Sequence, residues 1–177
     1  CSQYMKQGIA DPERKKLYIK LLSDTLEIAD QAHLLQLDDI STRYYHDVRK
    51  KRTQDLAAYN TNVLMHVLES FNDDLAVSGL LSDSNIDAVL KRHEDTQKFM
   101  FLQTWSNSYW TTEDEADAQG MLKSELIPVN DLCLFTSAVM LSLMECFDLR
   151  KLMWLLDAYQ HGNVYVSQRA LIGIVFA

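Results

Sequence analysis

The chain has 177 residues and a formal net charge of −8, with only 5 glycines and 2 prolines. Good helix formers dominate and no β-branched run suggests a hairpin, so the composition predicts an all-α fold of one domain. The negative charge argues against a general affinity for nucleic acid or anionic membranes, because both require a positive surface.

The first predicted helix begins at Asp11, Pro12 and Glu13, which supply a cap, a proline at the first helical position and an acid in the first turn. It runs to about Leu37, where residues 38–41 break the pattern. Apolar residues recur along it at steps of three, four and seven, so we expect one buried stripe. The stripe consists of Leu17, Leu21, Leu22, Ile28, Ala29 and Ala32.

An aromatic and basic segment, residues 42–52, precedes the second predicted helix. Apolar residues from Leu56 to Leu75 have helical spacing, which predicts one long amphipathic helix. Gly79 fits its C-terminal end, since glycine is the preferred residue there.

A third helix is predicted to begin at Ser84 and to run to an aromatic corner at residues 105–110. Thr112 and Glu115 then have the spacing of a capping box, which predicts a polar fourth helix. That helix should end before Pro128, because the residue before a proline disfavours the helical conformation.

Asn130 and Asp131 are expected to cap the fifth helix, residues 132–147. This helix is apolar on nearly every face, so we expect it at the centre of the core. Its uncharged stretch, residues 132–144, is too short to cross a bilayer, and no membrane span is predicted.

Asp148 is expected to cap a sixth helix that ends at Gly162, and a seventh helix begins at Val164. The pattern predicts six or seven helices in antiparallel pairs, as an α-solenoid or an irregular helical bundle, in a single domain over residues 1–177. No terminating signal precedes Ala177, so the chain is expected to be a piece of a longer protein. Its truncated last helix should then pair with missing residues or with a second copy.

The turn at His161, Gly162 and Asn163 is followed by a helix that carries Val166, Arg169 and Ala170, and this arrangement resembles a HEAT repeat. The expected roles are close helix approach at Ala170, core packing by Val166 and Leu171, and contact of Arg169 with carbonyls or Asp157. A plain helical hairpin with an arginine in its second helix is the alternative.

Residues 105–177 also resemble a set of uncharacterised helical-repeat proteins from Bacteroidetes. The shared features are Trp105 and Trp110, Ser137-Ala138 with Leu141-Ser142-Leu143, Phe147-Asp148, and Arg169-Ala170-Leu171-Ile172-Gly173. The resemblance implies an all-helical scaffold of HEAT or tetratricopeptide type, and it brings no established biochemical activity.

The basic-aromatic segment, residues 43–52, holds five of the 17 lysines and arginines beside two tyrosines. Cations beside aromatic rings suit phosphate or nucleobase contact. Arg49, Lys50 and Arg52 are therefore candidate binding residues, and a nucleic-acid or phosphate-binding module is the alternative function. A solvated helix face whose charges balance nearby acids is the simpler interpretation.

Trp105, Tyr109 and Trp110 lie at a predicted helix end. Large rings at such a place either close the core or stand exposed as contacts for a partner. Packing in the core is the commoner outcome. Their spacing of four and five residues puts at least two rings on one face, so all three are candidate partner-binding residues.

No motif for a nucleophile, a phosphate-binding loop or a dinucleotide is present, so no catalytic residue and no cofactor are predicted. The five histidines lack the spacing of zinc ligands, so no metal site is predicted. The acids of residues 113–117 could attract a divalent cation, but they suit the N-terminus of a helix without one. Cys133 and Cys146 should lie roughly 20 Å apart on one helix, so both are expected to be reduced thiols.

These features predict a non-catalytic helical-repeat scaffold that mediates protein–protein interaction with an unidentified partner. We expect a cytoplasmic location, and a lipid anchor on Cys1 is the alternative. A helical-bundle enzyme is a third class, and it would require carboxylates with perturbed pKa values in an enclosed pocket.

Overall fold

The computed structural model describes residues 12–52, 61–80 and 83–176, and its regular structure in those ranges is helical throughout. The all-α prediction is confirmed. The chain divides into two compact units, Cys1–Thr42 and Arg43–Ala177. The expected single domain over residues 1–177 stays a prediction, because the division into compact units does not test whether they fold together.

Nine helices lie within the described residues. They are α1 (Pro12–Ile40), α2 (Tyr44–Lys51), α3 (Thr61–Glu69), α4 (Phe71–Gly79), α5 (Asp83–Ser106), α6 (Thr112–Lys123), α7 (Val129–Glu145), α8 (Leu149–Tyr159) and α9 (Val164–Phe176). The expected count of six or seven is too low for two reasons. The basic segment forms a helix of its own, and the long second helix is divided at the single residue Ser70, whose backbone still donates to the His66 carbonyl and accepts from Asp74. The predicted beginning of that helix at Leu56 lies outside the described residues.

The first unit contains one described helix, α1, which begins at Pro12 as predicted and continues to Ile40. Its cap, Asp11, lies outside the described residues. The prediction of a buried stripe is wrong: Leu17, Leu21, Leu22 and Ile28 are between 47% and 66% exposed, because no second described helix belongs to this unit. The buried residues of α1 are instead Leu34 and Asp38.

Helix α7 is central in the second unit, since it packs against α5, α8 and α9. Its apolar residues are buried on several faces, and Phe135, Val139 and Leu143 belong to the core. This position is the one predicted from its sequence. Around it, α3 packs against α5 and α6, α4 packs against α5, and α6 packs against α8.

Two helix caps test the sequence patterns directly. Asp148 caps α8 as predicted, because its Oδ1 accepts a hydrogen bond from the Arg150 backbone at 2.9 Å. The capping box of α6 lies one residue earlier than predicted. Thr111 Oγ1 accepts from the Asp114 backbone at 3.1 Å, and Asp114 Oδ2 accepts from the Thr111 backbone at 2.8 Å. Both registers place an acid three residues after a threonine, so the pattern alone is ambiguous.

The predicted cap of α7 at Asn130 and Asp131 is wrong. The helix begins at Val129, and Pro128 precedes it without a side-chain cap. Asp131 is fully buried against α5, where Gln97 donates to its Oδ1 and His93 Nε2 lies 3.1 Å from its Oδ2.

Helix α9 packs closely against α7 and α8 through small residues. Val166 and Ala170 are completely buried, as predicted, whereas Leu171 is 43% exposed and does not fill the core. At Gly173 a Cβ atom would lie 3.0 Å from Leu155 Cδ1 and 3.2 Å from Met140 Cβ, so glycine permits the approach. Arg169 donates to Ser137 Oγ at 2.8 Å and not to Asp157.

No helix in the described ranges combines the length and the apolar character needed to cross a membrane.

Candidate interaction site

The turn after α5, residues 107–110, is held by a buried lysine from the start of α8. Lys151 has no exposed surface, and its Nζ donates to the carbonyl of Asn107, to the carbonyl of Ser108 at 2.7 Å and to Ser142 Oγ at 3.0 Å. Carbonyls that follow a helix lack intrahelical partners, and a cation there also complements the helix dipole. Lys151 therefore joins α5, α7 and α8.

Burial lowers the pKa of Lys151 to about 8, although Asp148 acts in the opposite direction. Asp148 Oδ2 lies 3.9 Å from the Lys151 amine and accepts a hydrogen bond from the Trp110 backbone at 2.7 Å. One carboxylate thus caps α8, fixes the turn and faces the buried cation.

This polar centre was missed in the sequence. Lysine in the first turn of an amphipathic helix is usually assigned to the surface. The signal that could have found it is its register, because Lys151, Trp154, Leu155 and Ala158 share the buried stripe of α8.

The candidate basic residues divide between the interior and the surface of the second unit. Arg49 donates to Ser108 Oγ, and Arg52 Nη2 lies 3.3 Å from the Asn107 amide oxygen when that amide is oriented to donate to the Tyr109 carbonyl. Burial lowers the pKa of Arg52, and Asp114 opposes that effect. Lys50 is exposed, as is Lys51. The segment is therefore one helix with an inward and an outward side.

The candidate aromatic residues have different environments. Trp110 is buried and meets Trp154 edge to face, with the ring centroids 6.1 Å apart. Trp105 and Tyr109 are half-buried. Trp105 lies in an aromatic cluster whose other rings, Tyr44, Tyr45 and Phe101, have centroids 5.2 to 6.2 Å from its own. Trp105 and Tyr109 remain candidate partner-binding residues, whereas Trp110 takes the core position that sequence reasoning considered the commoner outcome.

Two polar groups in the aromatic cluster are buried without a hydrogen-bond partner among the described residues: the Tyr45 hydroxyl and Trp105 Nε1. Burial raises the pKa of Tyr45, and the nearby Ser108 and Arg49 act in the opposite direction. Burial therefore disfavours the ionised form of Tyr45 relative to an exposed tyrosine.

A small polar recess adjoins the turn after α5. It is lined by Thr61, Gln103, Thr104, Asn107, Trp110, Asp114 and Phe135 and has a volume of about 20 Å³. A cavity of this size holds about one water molecule. It is too small for an organic ligand.

A larger groove of about 540 Å³ lies between α7 and α9. Its lining combines apolar residues with three polar ones, and it consists of Asn130, Cys133, Leu134, Tyr165, Gln168, Arg169 and Ile172. The apolar surface continues onto the outer face of α9. There, Val164, Tyr165, Leu171, Ile172, Val175 and Phe176 are between 43% and 71% exposed.

The acids at the start of α6 take structural roles. Asp114 belongs to the capping box, and Glu115 pairs with Arg150 at 3.0 Å. Burial and the neighbouring Glu113 and Asp114 raise the pKa of Asp117. Within the part of the chain that the structure describes, no three histidine, cysteine or acidic side chains converge as metal ligands.

A second polar group lies between α5 and α7, where His93 faces the buried Asp131. The ring of His93 also stacks on Phe71 of α4, with centroids 3.6 Å apart. Gln97 donates to Asp131 and lies 3.2 Å from His93 Nε2. The group connects three helices and has no neighbouring nucleophile among these contacts.

Comparisons with protein-family models, with curated proteins and with solved structures give no match to this chain.

Proposed function

We propose that the second unit is a non-catalytic helical module that binds another protein through the outer face of α9 and the α7–α9 groove. The carrying observation is that α9 is mostly apolar, although it includes Ser167, Gln168 and Arg169. Arg169 is its only charged residue, and a largely apolar helix is normally covered over most of its surface. Only its small-residue side is covered within the unit, so its outer face exposes six apolar side chains. Exposed apolar surface of this kind is typical of a site that binds another protein.

The groove favours an amphipathic helix as the bound element. Leu134, Tyr165 and Ile172 supply apolar contacts along it, while the exposed Arg169 lies in its lining. Helix-in-groove recognition uses apolar anchors at steps of three and four residues. A carboxylate on the partner helix would pair with Arg169, which otherwise contacts the Ser137 hydroxyl.

A non-catalytic role agrees with the environment of the most perturbed basic group. Lys151 is enclosed and its amine has three hydrogen-bond acceptors, so its lowered pKa accompanies a structural role. The buried Cys133 and Cys146 thiols favour a reducing compartment, which supports the cytoplasm as the proposed location.

The nucleic-acid or phosphate alternative has less support. Arg49 and Arg52 face the turn after α5, and the exposed Arg43 pairs with Glu145, which leaves Lys50 and Lys51 as the other outward cations of the basic-aromatic segment. A HEAT-like arrangement of α8 and α9, related to the Bacteroidetes helical-repeat proteins, is part of the proposal. It draws support from the buried Val166 and Ala170.

The test is photo-crosslinking in the source cells, with a photoreactive amino acid at Ile172 in α9 or at Val77 in α4. Both sites are exposed, and Val77 serves as the matched control. The crosslinked protein would then be produced pure, and its dissociation constant measured by calorimetry. We expect Ile172→Glu to raise that constant roughly tenfold or more and Val77→Glu to leave it unchanged.

Equal crosslinking at the two sites, or a constant that Ile172→Glu does not change, would contradict the proposed surface. Recovery of nucleic acid alone, with binding lost when Lys50 and Lys51 are neutralised, would favour the alternative function.

A further inference from the structure

Helix α1 carries a continuous seam that repeats every three and four residues. The seam consists of Arg14, Tyr18, Leu21, Thr25, Ile28, Ala32, Leu35 and Asp39. Alternating steps of four and three over this length are the pattern of a coiled-coil interface. At about 1.5 Å per residue, the seam is roughly 38 Å long.

The seam is exposed over its whole apolar part. Tyr18, Leu21, Ile28 and Leu35 are between 55% and 66% exposed, and Thr25 and Ala32 are exposed as well. The buried residues of α1, Leu34 and Asp38, do not belong to the seam. The buried side of α1 is therefore not the side that carries the seam.

Thr25 is compatible with an apolar interface despite its hydroxyl. Its Oγ1 donates to the Leu21 carbonyl at 2.7 Å, so the hydroxyl is satisfied within the helix. Its methyl group can then pack without leaving a polar group unpaired.

We propose that α1 pairs with α1 of a second copy of this chain, in antiparallel orientation about a two-fold axis between Thr25 and Ile28. Two of the three apolar layers then pair a large seam residue with a smaller one. Leu21 faces Ala32 of the second copy, Ile28 faces Thr25, and Leu35 faces Tyr18. Such complementary layers fill the space between two helices.

The seam ends in opposite charges that fit the same orientation. Antiparallel pairing places Arg14 opposite Asp39 of the second copy at both ends. Parallel pairing would place Arg14 against Arg14 and Asp39 against Asp39, and would leave gaps where Thr25 meets Thr25 and Ala32 meets Ala32. Charge and volume therefore select the antiparallel dimer.

The charge of the whole helix agrees with this choice. Residues 12–26 contain four basic and two acidic side chains, whereas residues 27–40 contain four acidic and no basic ones, with histidine counted as neutral. Cations at the N-terminal half and anions at the C-terminal half oppose the dipole of a single helix. In an antiparallel pair, each half faces the opposite charge.

The test is sedimentation equilibrium of the full chain over roughly a hundredfold range of concentration. We expect a reversible dimer that Leu21→Glu with Ile28→Glu abolishes. The matched control is Ile19→Glu with Leu26→Glu, which also places charges at exposed apolar positions of α1 but off the seam. Circular dichroism should be alike for all three proteins, because none of these side chains is buried.

A charge exchange tests the orientation. Arg14→Asp should weaken the dimer roughly tenfold, and the double variant Arg14→Asp with Asp39→Arg should restore it. A monomer at every concentration would overturn the proposal and leave the seam for another protein. If Ile19→Glu with Leu26→Glu also abolished the dimer, the seam would not be the interface. If the charge exchange did not restore the dimer, the orientation would not be antiparallel.

This dimer does not depend on the proposed partner of α9. It is measured on the purified chain alone and with variants of α1, so either proposal can fail without the other.

Discussion

The amine of Lys151 lies 2.7 Å from the carbonyl oxygen of Ser108, although the two residues are 43 positions apart in the chain. This hydrogen bond ties the start of α8 to the turn after α5. Because the lysine has no exposed surface, its amine is satisfied in the interior by backbone and hydroxyl oxygens.

Replacing Lys151 with methionine should destabilise the protein by about 3 kcal/mol. Methionine has a similar length but donates no hydrogen bond, so the Asn107 and Ser108 carbonyls lose their shared donor and Asp148 loses its cation. Chemical denaturation followed by circular dichroism measures the free energy of unfolding. Lys123→Met, at an exposed site in the last turn of α6, is the control and should change that energy by less than about 0.5 kcal/mol. Equal effects of the two substitutions would show that the buried contacts contribute little.

Sequence periodicity predicted the helices better than it predicted their surroundings. The stripe of α1 follows helical periodicity, but four of its large apolar side chains are exposed, because periodicity does not show whether a neighbouring element covers that face. Leu171 shows the same limit, because its helical position places it on the outer face of α9. The polar centre at Lys151 needed tertiary contacts between residues more than 40 positions apart, and local patterns do not encode those.

Asp131→Ala should cost about 2 to 4 kcal/mol. The substitution removes a fully buried carboxylate, so the Gln97 amide loses its acceptor and His93 loses the carboxylate that faces it at 3.1 Å between α5 and α7. Urea denaturation should show the loss, and Glu94→Ala, at an exposed position of α5, should show almost none. If Asp131 acted only as a helix cap, as its sequence position suggested, the loss would be nearer 1 kcal/mol.

Gly173→Val should lower stability by about 1 to 3 kcal/mol, since the new side chain would enter the contact with Leu155 and Met140. The matched substitution Gly79→Val, at the last residue of α4, adds a side chain where no atom lies within 4 Å of its Cβ. Thermal denaturation should therefore separate the two variants, with only Gly173→Val melting well below wild type. A normal melting temperature for Gly173→Val would mean that α9 can move away from α7 and α8 at little cost.

The depressed pKa of Lys151 predicts a rise in its contribution to stability with pH. The folded protein releases the Lys151 proton near pH 8, whereas the unfolded chain keeps it to the ordinary value of 10.5. Between these values the unfolded state binds more protons, and stability rises with pH in that case. The free energy of unfolding of wild type, minus that of Lys151→Met, should thus increase by about 2 kcal/mol between pH 7 and about 9.5.

Tyr45, whose pKa is raised above 10, would act with the opposite sign only at higher pH, and it is present in both proteins. Urea denaturation at several pH values gives the difference, and a difference that stayed constant or fell with pH would show that Lys151 keeps its proton as firmly in the folded state as in the unfolded one.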